Sequence, residues 1–308
     1  MSKKLLFDLV NTSTPGPLIV PGIFHNAIAT AETLNNVNRI LNAKNTVKIG
    51  SHNLGNIFQA ASCDPTNSGE GTLSDKDVTV CSLDIYMKFC QATLEQSFLS
   101  TSLKPGSNIA DFLPADFYNY LGEVIGAKAA ATIETMFWQG NPEDVDAVYP
   151  NTLCEGLLVQ FDADSAVVDV TGTTITASNV YAELAKVLVA LPITISPTDP
   201  DLVMYVSPST ANAYIVAQSN STGGIFVVGQ KELNYNGIKM VISTGMPANK
   251  IVLTKKSNLF FITDLVSDYE DIAFIPQFNN NGKHTIITSG NLKVAFSYVN
   301  PTEIIYYH

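Results

Sequence analysis

Apolar and polar positions along this chain change period from segment to segment, and the densest ordered run covers residues 201–261. It opens with an apolar stretch, Asp201-Leu-Val-Met-Tyr-Val-Ser207, that feeds directly into Ser207-Pro208-Ser-Thr-Ala-Asn-Ala-Tyr-Ile-Val-Ala217. Ser207 is placed to cap a helix and Pro208 suits a first helical turn, so the pattern predicts a strand running into a helix. Gly224-Ile-Phe-Val-Val228 reads as a further strand. Asn236-Gly237 reads as a tight turn, and the alternating Ile238-Lys-Met-Val-Ile242 as the strand that follows it. The loop Met246-Pro247-Ala248-Asn249-Lys250 then precedes a pair of short strands, at 251–254 and 259–261.

Helical periodicity is clearest at 116–139. That stretch has no proline, its apolar stripe Leu121, Ile125, Ala129, Ile133, Met136 and Phe137 repeats at three and four, and Gly140-Asn-Pro142 stops it. Such a helix would be about 36 Å long. A second amphipathic helix is predicted at 176–191, with Ser178 as candidate cap and Val180, Leu184, Val187, Leu188 and Leu191 on one face before Pro192. A short helix is predicted within 25–43, where Ile28, Leu34, Val37 and Leu41 fall near helical spacing. Residues 82–99 mix strand and helix signals. Strands are predicted at 272–275, 285–288, 292–298 and 304–307, with Asn279-Asn-Asn-Gly282 as a loop.

Two segments lack the makings of a core. Residues 1–24 carry no period, and Pro15, Pro17 and Pro21 forbid a continuous helix, so they read as an extended arm. Between the strand-like Thr46-Val-Lys-Ile49 and Val78-Thr-Val-Cys81 lies a stretch rich in Asn, Ser, Gly, Thr and Asp. Together these make a long hairpin with a loose tip. A two-stranded ribbon is marginal in water, so this one needs another surface to lie on.

This order of elements resembles the major capsid proteins of tailed phages, with the α+β Hong Kong 97-like fold. The features that carry the resemblance are the strand into the Pro208 helix, the Met246-Pro247 loop, the long helix after an extended loop, and the Gly156-Leu157-Leu158 segment after that helix. The resemblance implies an N-terminal arm and short helix at 1–43, and an extended loop (E-loop) at 44–82. It implies a peripheral (P) domain at 83–160 and 268–300 with its spine helix at 116–139. An axial (A) domain would take 161–267 and 301–308. The short arm, with no long leading helical region, implies that any scaffold is supplied in trans.

Composition narrows the alternatives. The 308 residues are 46% hydrophobic and 15% charged, enough to build a sizeable core. The net charge of −11 argues against strong nonspecific affinity for a phosphate backbone. No apolar stretch approaches the roughly 18–20 residues of a membrane span. Asp8 and Asn11 interrupt any signal-peptide core, so a soluble chain used without export is expected. Cys63, Cys81, Cys90 and Cys154 fit neither a metal knuckle nor a dense disulfide framework, and are expected as unpaired thiols, with Cys63 open to an intersubunit disulfide after cell lysis.

Catalytic motifs are missing from the sequence. There is no phosphate-cradling loop, no dinucleotide fingerprint and no nucleophile elbow, and Ser221-Thr-Gly-Gly224 reads as a plain turn. His25, His52, His284 and His308 show no metal-ligand spacing. Asp162, Asp164 and Asp169, or Asp199 and Asp201, are expected as solvated turn acids. No catalytic residue, cofactor or metal site is therefore expected. Some relatives under the resemblance join subunits by a Lys to Asn isopeptide bond, for which Lys48 or Lys76 and Asn279 to Asn281 are the candidate positions.

The expected function is a structural, non-enzymatic subunit that self-assembles into hexamers and pentamers of an icosahedral shell. The shell would form in the bacterial host cytoplasm, enclose double-stranded DNA without sequence-specific binding, and use no membrane. Portal, scaffold and decoration proteins are the further partners that the resemblance implies. The alternatives are an encapsulin-like protein shell, a tail or surface-binding virion protein, or a hydrolase with residues 44–82 as its lid.

Overall fold

Leu202–Val206 is buried at every position, and its side chains alternate between two separate hydrophobic clusters, which makes it the strand around which the chain is layered. The computed structural model describes residues 18–20, 32–54, 61, 63, 71–90, 115–144, 151–220, 233–264, 272–277 and 285–308. Over these, the elements begin with β1 (Leu18–Val20), α1 (Glu32–Asn35), β2 (Asn38–Ile40), β3 (Thr46–Leu54), β4 (Gly71–Thr79) and β5 (Cys81–Cys90). They continue with α2 (Ala115–Gln139), α3 (Leu157–Ala163), β6 (Val168–Val170), α4 (Val180–Val189), β7 (Leu202–Val206) and α5 (Pro208–Asn220). The last are β8 (Leu233–Tyr235), β9 (Ile238–Ile242), β10 (Ile251–Lys255), β11 (Leu259–Thr263), β12 (Ile272–Pro276), β13 (Thr285–Tyr298) and β14 (Ile305–Tyr307).

The described strands form two six-stranded sheets and one hairpin. The first sheet runs β1-β12-β13-β11-β2, with β5 also paired to β13; the second runs β6-β14-β10-β7-β9-β8; β3 and β4 pair only with each other. Val203 and Tyr205 of β7, Val252 of β10 and Tyr306 of β14 face a core shared with the first sheet and with α2 and α3. Their alternate neighbours Met204, Leu253 and Tyr307 face a second core closed by α4 and α5. A strand pleat with period two sorts side chains in this way, and such fully covered strands read as continuous apolar runs.

Helix α2 matches the helix expected at 116–139 to within a residue and stops at Gly140. A Cβ at Gly140 would overlap the carbonyl of Cys154, and Gly156 donates its N–H to the Gly140 carbonyl at 2.7 Å. The last turn of α2 is apolar on most of its surface: Ile133, Met136, Phe137 and Trp138 are each at most 2% exposed. Phe137 packs edge-on to Trp138 at 4.9 Å and to Phe296 at 5.2 Å, and Trp138 lies 5.4 Å from Tyr205. This joins the two sheets through one aromatic cluster, and aromatic pairs of this kind add to the burial term.

Local turn chemistry follows the sequence. Ser207 Oγ accepts the N–H of Thr210 at 3.2 Å, as a helix cap should. Asn236 and Gly237 have φ of 48° and 85°, the pair of positive values that a tight β8–β9 hairpin turn requires. Helix α4 begins at Val180, four residues later than expected, because Asn179 and not Ser178 organises the entry. The Asn179 side chain accepts from the Thr176 N–H at 2.7 Å and donates to the Thr174 carbonyl at 2.9 Å.

The short helix expected within 25–43 is present, and two other expectations are corrected. The helix read within 25–43 is four residues long in the described part, and the chain then turns into β2, which pairs parallel with β11. The ladder on β11 outweighs a helical spacing that Asn35 and Asn36 already weaken. The strands at 285–288 and 292–298 form one continuous β13, because Gly290 and Asn291 stay in register with Ile85 and Asp84 of β5. The short strands at 251–254 and 259–261 do not pair. Asn258 between them binds the backbone of Val299 and Asn300, which sends β11 into the first sheet while β10 stays in the second. The strand expected at 224–228, most of the proposed arm, the hairpin tip and the loop from Asn279 to Gly282 lie outside the described residues.

Candidate functional site

The β3–β4 hairpin takes part in neither six-stranded sheet. Nine residue pairs run from Thr46↔Thr79 to Leu54↔Gly71. Only its foot is anchored, where Ile49 and Val78 are buried against Ala43, Ile262 and Ala295. Residues 74–77 of β4 are all exposed. Lys48 and Asp77 form a cross-strand ion pair at 3.6 Å with both side chains more than half exposed, a geometry that contributes little net stability.

A polar cluster sits beside the foot. Lys76 Nζ lies 3.9 Å from the centre of the Tyr298 ring and donates to Gln160 Oε1 at 3.4 Å. The Tyr298 hydroxyl donates to Asp164 Oδ2 at 2.8 Å; burial first, and that bond second, hold its proton well above the ordinary tyrosine range. A cavity of about 390 Å³ opens here, with Lys76, Glu155 and Gln160 in its wall together with Cys81 and Cys154. These two cysteines are joined in a disulfide, Cα to Cα 6.0 Å, which corrects the expectation of four unpaired thiols. They are 73 residues apart in sequence, and only the placement of β5 on β13 beside the start of α3 brings them together. Cys63 and Cys90 are free and exposed.

The joint between the two sheets holds a buried acid. Glu134, 5% exposed, accepts hydrogen bonds from the hydroxyls of Thr33 at 2.6 Å, Ser243 at 3.0 Å and Thr244 at 2.7 Å. Ser243 in turn accepts from the Trp138 indole N–H at 2.7 Å, and Gln139 donates to the Gly245 carbonyl at 2.6 Å. A Cβ at Gly245 would overlap the Glu134 carbonyl, so the loop lies directly on the helix. Glu134 thus ties α1, α2 and the 243–246 loop together. Ser243 beside an acid is no nucleophile for a substrate, because it is fully buried. The sequence carried one sign of this joint: a charged residue inside an otherwise apolar helical turn.

Four of the five acids singled out in the sequence have hydrogen-bond or ion-pair partners. Asp164 caps a turn through the Ala166 N–H at 3.0 Å, and Asp199 caps the Asp201 N–H at 3.0 Å. Asp201 accepts from Ser257, and Asp169 meets His308 at 2.9 Å. Among the described residues no group of three His, Cys, Asp or Glu could hold a metal ion. No described helix is long and apolar enough to cross a membrane.

Glu183, which sequence reading passed over, accepts from Lys186 at 2.7 Å, Tyr307 at 2.7 Å and Thr173 at 2.9 Å. The Lys186 bond first, then those of Tyr307 and Thr173, hold its carboxyl below the usual range, while burial and the Glu183 bond push Tyr307 up to about 12. A depressed acid stabilises the fold above its unfolded value and loses that contribution on acidification; a raised phenol stabilises it below pH ~10 and loses it on the way to pH ~12. The stability gap between wild type and Tyr307→Phe, read as urea midpoints, is therefore expected to narrow as pH rises from about 10 to about 12. A gap that stays constant would contradict this.

No family model and no curated protein matches the chain. Solved structures do match in fold. A chain of the capsid of an empty GTA particle aligns with a TM-score of 0.62 at 14% identity, covering 90% of this chain and 89% of that one. A chain of the Satellite phage P4 procapsid including size determination (Sid) protein aligns at 0.57 and 14%, covering 92% and 96%. A chain of Mycobacterium phage Adephagia aligns at 0.57 and 10%, covering 90% and 89%. At these identities the likeness is one of fold, and it runs through nearly the whole of each chain. The mixed α+β architecture is that of phage capsid chains.

Proposed function

We propose that this chain is the major capsid protein of a tailed bacteriophage, with a Hong Kong 97-like fold, and that it assembles into hexamers and pentamers of a shell around double-stranded DNA. The observation that carries this reading is a near full-length capsid fold bearing a projecting, core-less hairpin. In this reading β3–β4 is the E-loop, and α2 is the spine of a P domain built on the first sheet. The second sheet with α4 and α5 is the A domain. The hairpin lies on a neighbouring subunit, which supplies the surface that its own chain does not.

Catalysis has no part in the proposal. The buried Glu134 and the paired Cys81 and Cys154 are structural, and the shell needs no cofactor. Scaffold and portal proteins are expected as partners in assembly.

Subunits of charge −11 repel one another, so burial must exceed that repulsion, and an obligate interface of this kind covers upwards of about 2,000 Å². Salt screens exposed charges over roughly 8–10 Å. Sedimentation of the purified chain is expected to show particles of many subunits, with the assembled fraction rising between low and moderate salt. A homogeneous monomer at every salt concentration and protein concentration would contradict the proposal.

A further inference from the structure

We propose that Cys81–Cys154 is a redox-controlled brace: open as two thiols in the reducing cytoplasm where the subunit folds, and closed once the particle meets an oxidising medium. The compartment history rests on the shell reading; the chemistry rests on the site. Cys81 opens β5 directly after the descending arm of the hairpin, and Cys154 precedes α3 just beyond the loop that ends α2. Closing the bond therefore fastens the root of the hairpin to the end of the long helix.

The Cα separation of 6.0 Å lies in the range where a disulfide closes without moving the backbone. In the reduced state the Val294 carbonyl, 3.1 Å from Cys81 Sγ, is positioned to accept the Cys81 S–H. Both cysteines line the 390 Å³ cavity, which gives small reagents access. Cys154 is only 2% exposed while Cys81 is half-buried, so Cys81 is the sulfur that meets the reagent.

The step is thiol–disulfide exchange with a small-molecule disulfide such as oxidised glutathione. The Cys81 thiolate attacks it, forming a mixed disulfide and expelling one glutathione thiolate. The Cys154 thiolate then attacks Cys81 Sγ, closing the protein disulfide and expelling the second. Two protein thiols lose two electrons and two protons, and one oxidised glutathione becomes two reduced ones. A dithiol reductant runs the sequence backwards.

The test uses the full chain in two samples, one quenched in acid inside reducing bacteria and one exposed to oxidised glutathione after lysis. Both are alkylated with N-ethylmaleimide and mapped by peptide mass. In the quenched sample Cys81 and Cys154 are expected to be alkylated. In the oxidised sample Cys81 and Cys154 are expected in one peptide pair joined by their own disulfide and carrying no glutathione, while the exposed Cys63 and Cys90 are alkylated or carry glutathione. The bond closes a loop of 73 residues, so full reduction by dithiothreitol is expected to lower the melting temperature by about 10 °C. Cys81→Ser and Cys154→Ser should each melt near the reduced wild type and ignore the reductant.

Protection already present in the quenched cells, continued alkylation after oxidation, or a melting temperature unmoved by complete reduction would each overturn the proposal. These readouts are made on the subunit whether or not shells form, so a failure to form shells counts against the shell reading alone.

Discussion

Trp138→Ala is expected to destabilise the subunit by about 4 kcal/mol or more, enough to remove a large part of a typical domain's margin. The side chain is fully buried, packs on Phe137 and Tyr205, and is the chain's single tryptophan. Its loss combines a cavity at the junction of the two sheets with a Ser243 hydroxyl deprived of its donor. Trp138→Phe keeps most of the ring volume and removes the N–H, so its effect is expected to be about half as large. Urea midpoints followed by circular dichroism separate the two, since the variants lack the fluorophore. Equal midpoints for wild type and Trp138→Ala would show that this junction does not hold the sheets together.

The second large effect is on assembly and not on stability. Replacing residues 50–75 by Asn-Gly closes the hairpin on the Ile49↔Lys76 pair with a tight turn, and keeps the buried foot of Ile49 and Val78. The shortened subunit is expected to melt within a few degrees of the full chain, because the buried foot of Ile49 and Val78 is kept. It is also expected to stay as free subunits under conditions where the full chain assembles. Loss of the fold, or shells formed as readily as by the full chain, would each contradict the role given to the hairpin.

What could be read in the sequence was what depends on neighbours along the chain. The α2 stripe, the Ser207 cap, the Asn236-Gly237 turn and the β9 alternation are all local, and the fold follows them closely. What could not be read depends on which strand meets which. The parting of β10 and β11 into different sheets is set by Asn258 contacts some forty residues away, and the merging of two strands into β13 by their shared partner β5. Residues 32–40 form the short helix and then a strand, because β11 offers a parallel ladder that spacing cannot reveal.

The same limit hid the chemistry. Glu134 looked like any helix charge until Thr33, Ser243 and Thr244 were seen around it, more than a hundred residues away on either side. The Cys81–Cys154 pair has no motif, since its sulfurs meet only when the hairpin root and the end of the long helix lie side by side. The hairpin itself was legible because its signal is compositional: strand-like flanks around a stretch rich in Asn, Ser, Gly, Thr and Asp make a ribbon that needs another surface to lie on.

The central claim is that this subunit builds a closed shell in which each hairpin rests on a neighbour. Cryo-electron microscopy of the full chain beside the 50–75 replacement tests it most directly. The account predicts polyhedral shells for the full chain, with β3–β4 density lying across an adjacent subunit, and dispersed subunits for the replacement. A full chain that images only as monomers, or shells in which the hairpin touches no neighbour, would contradict it.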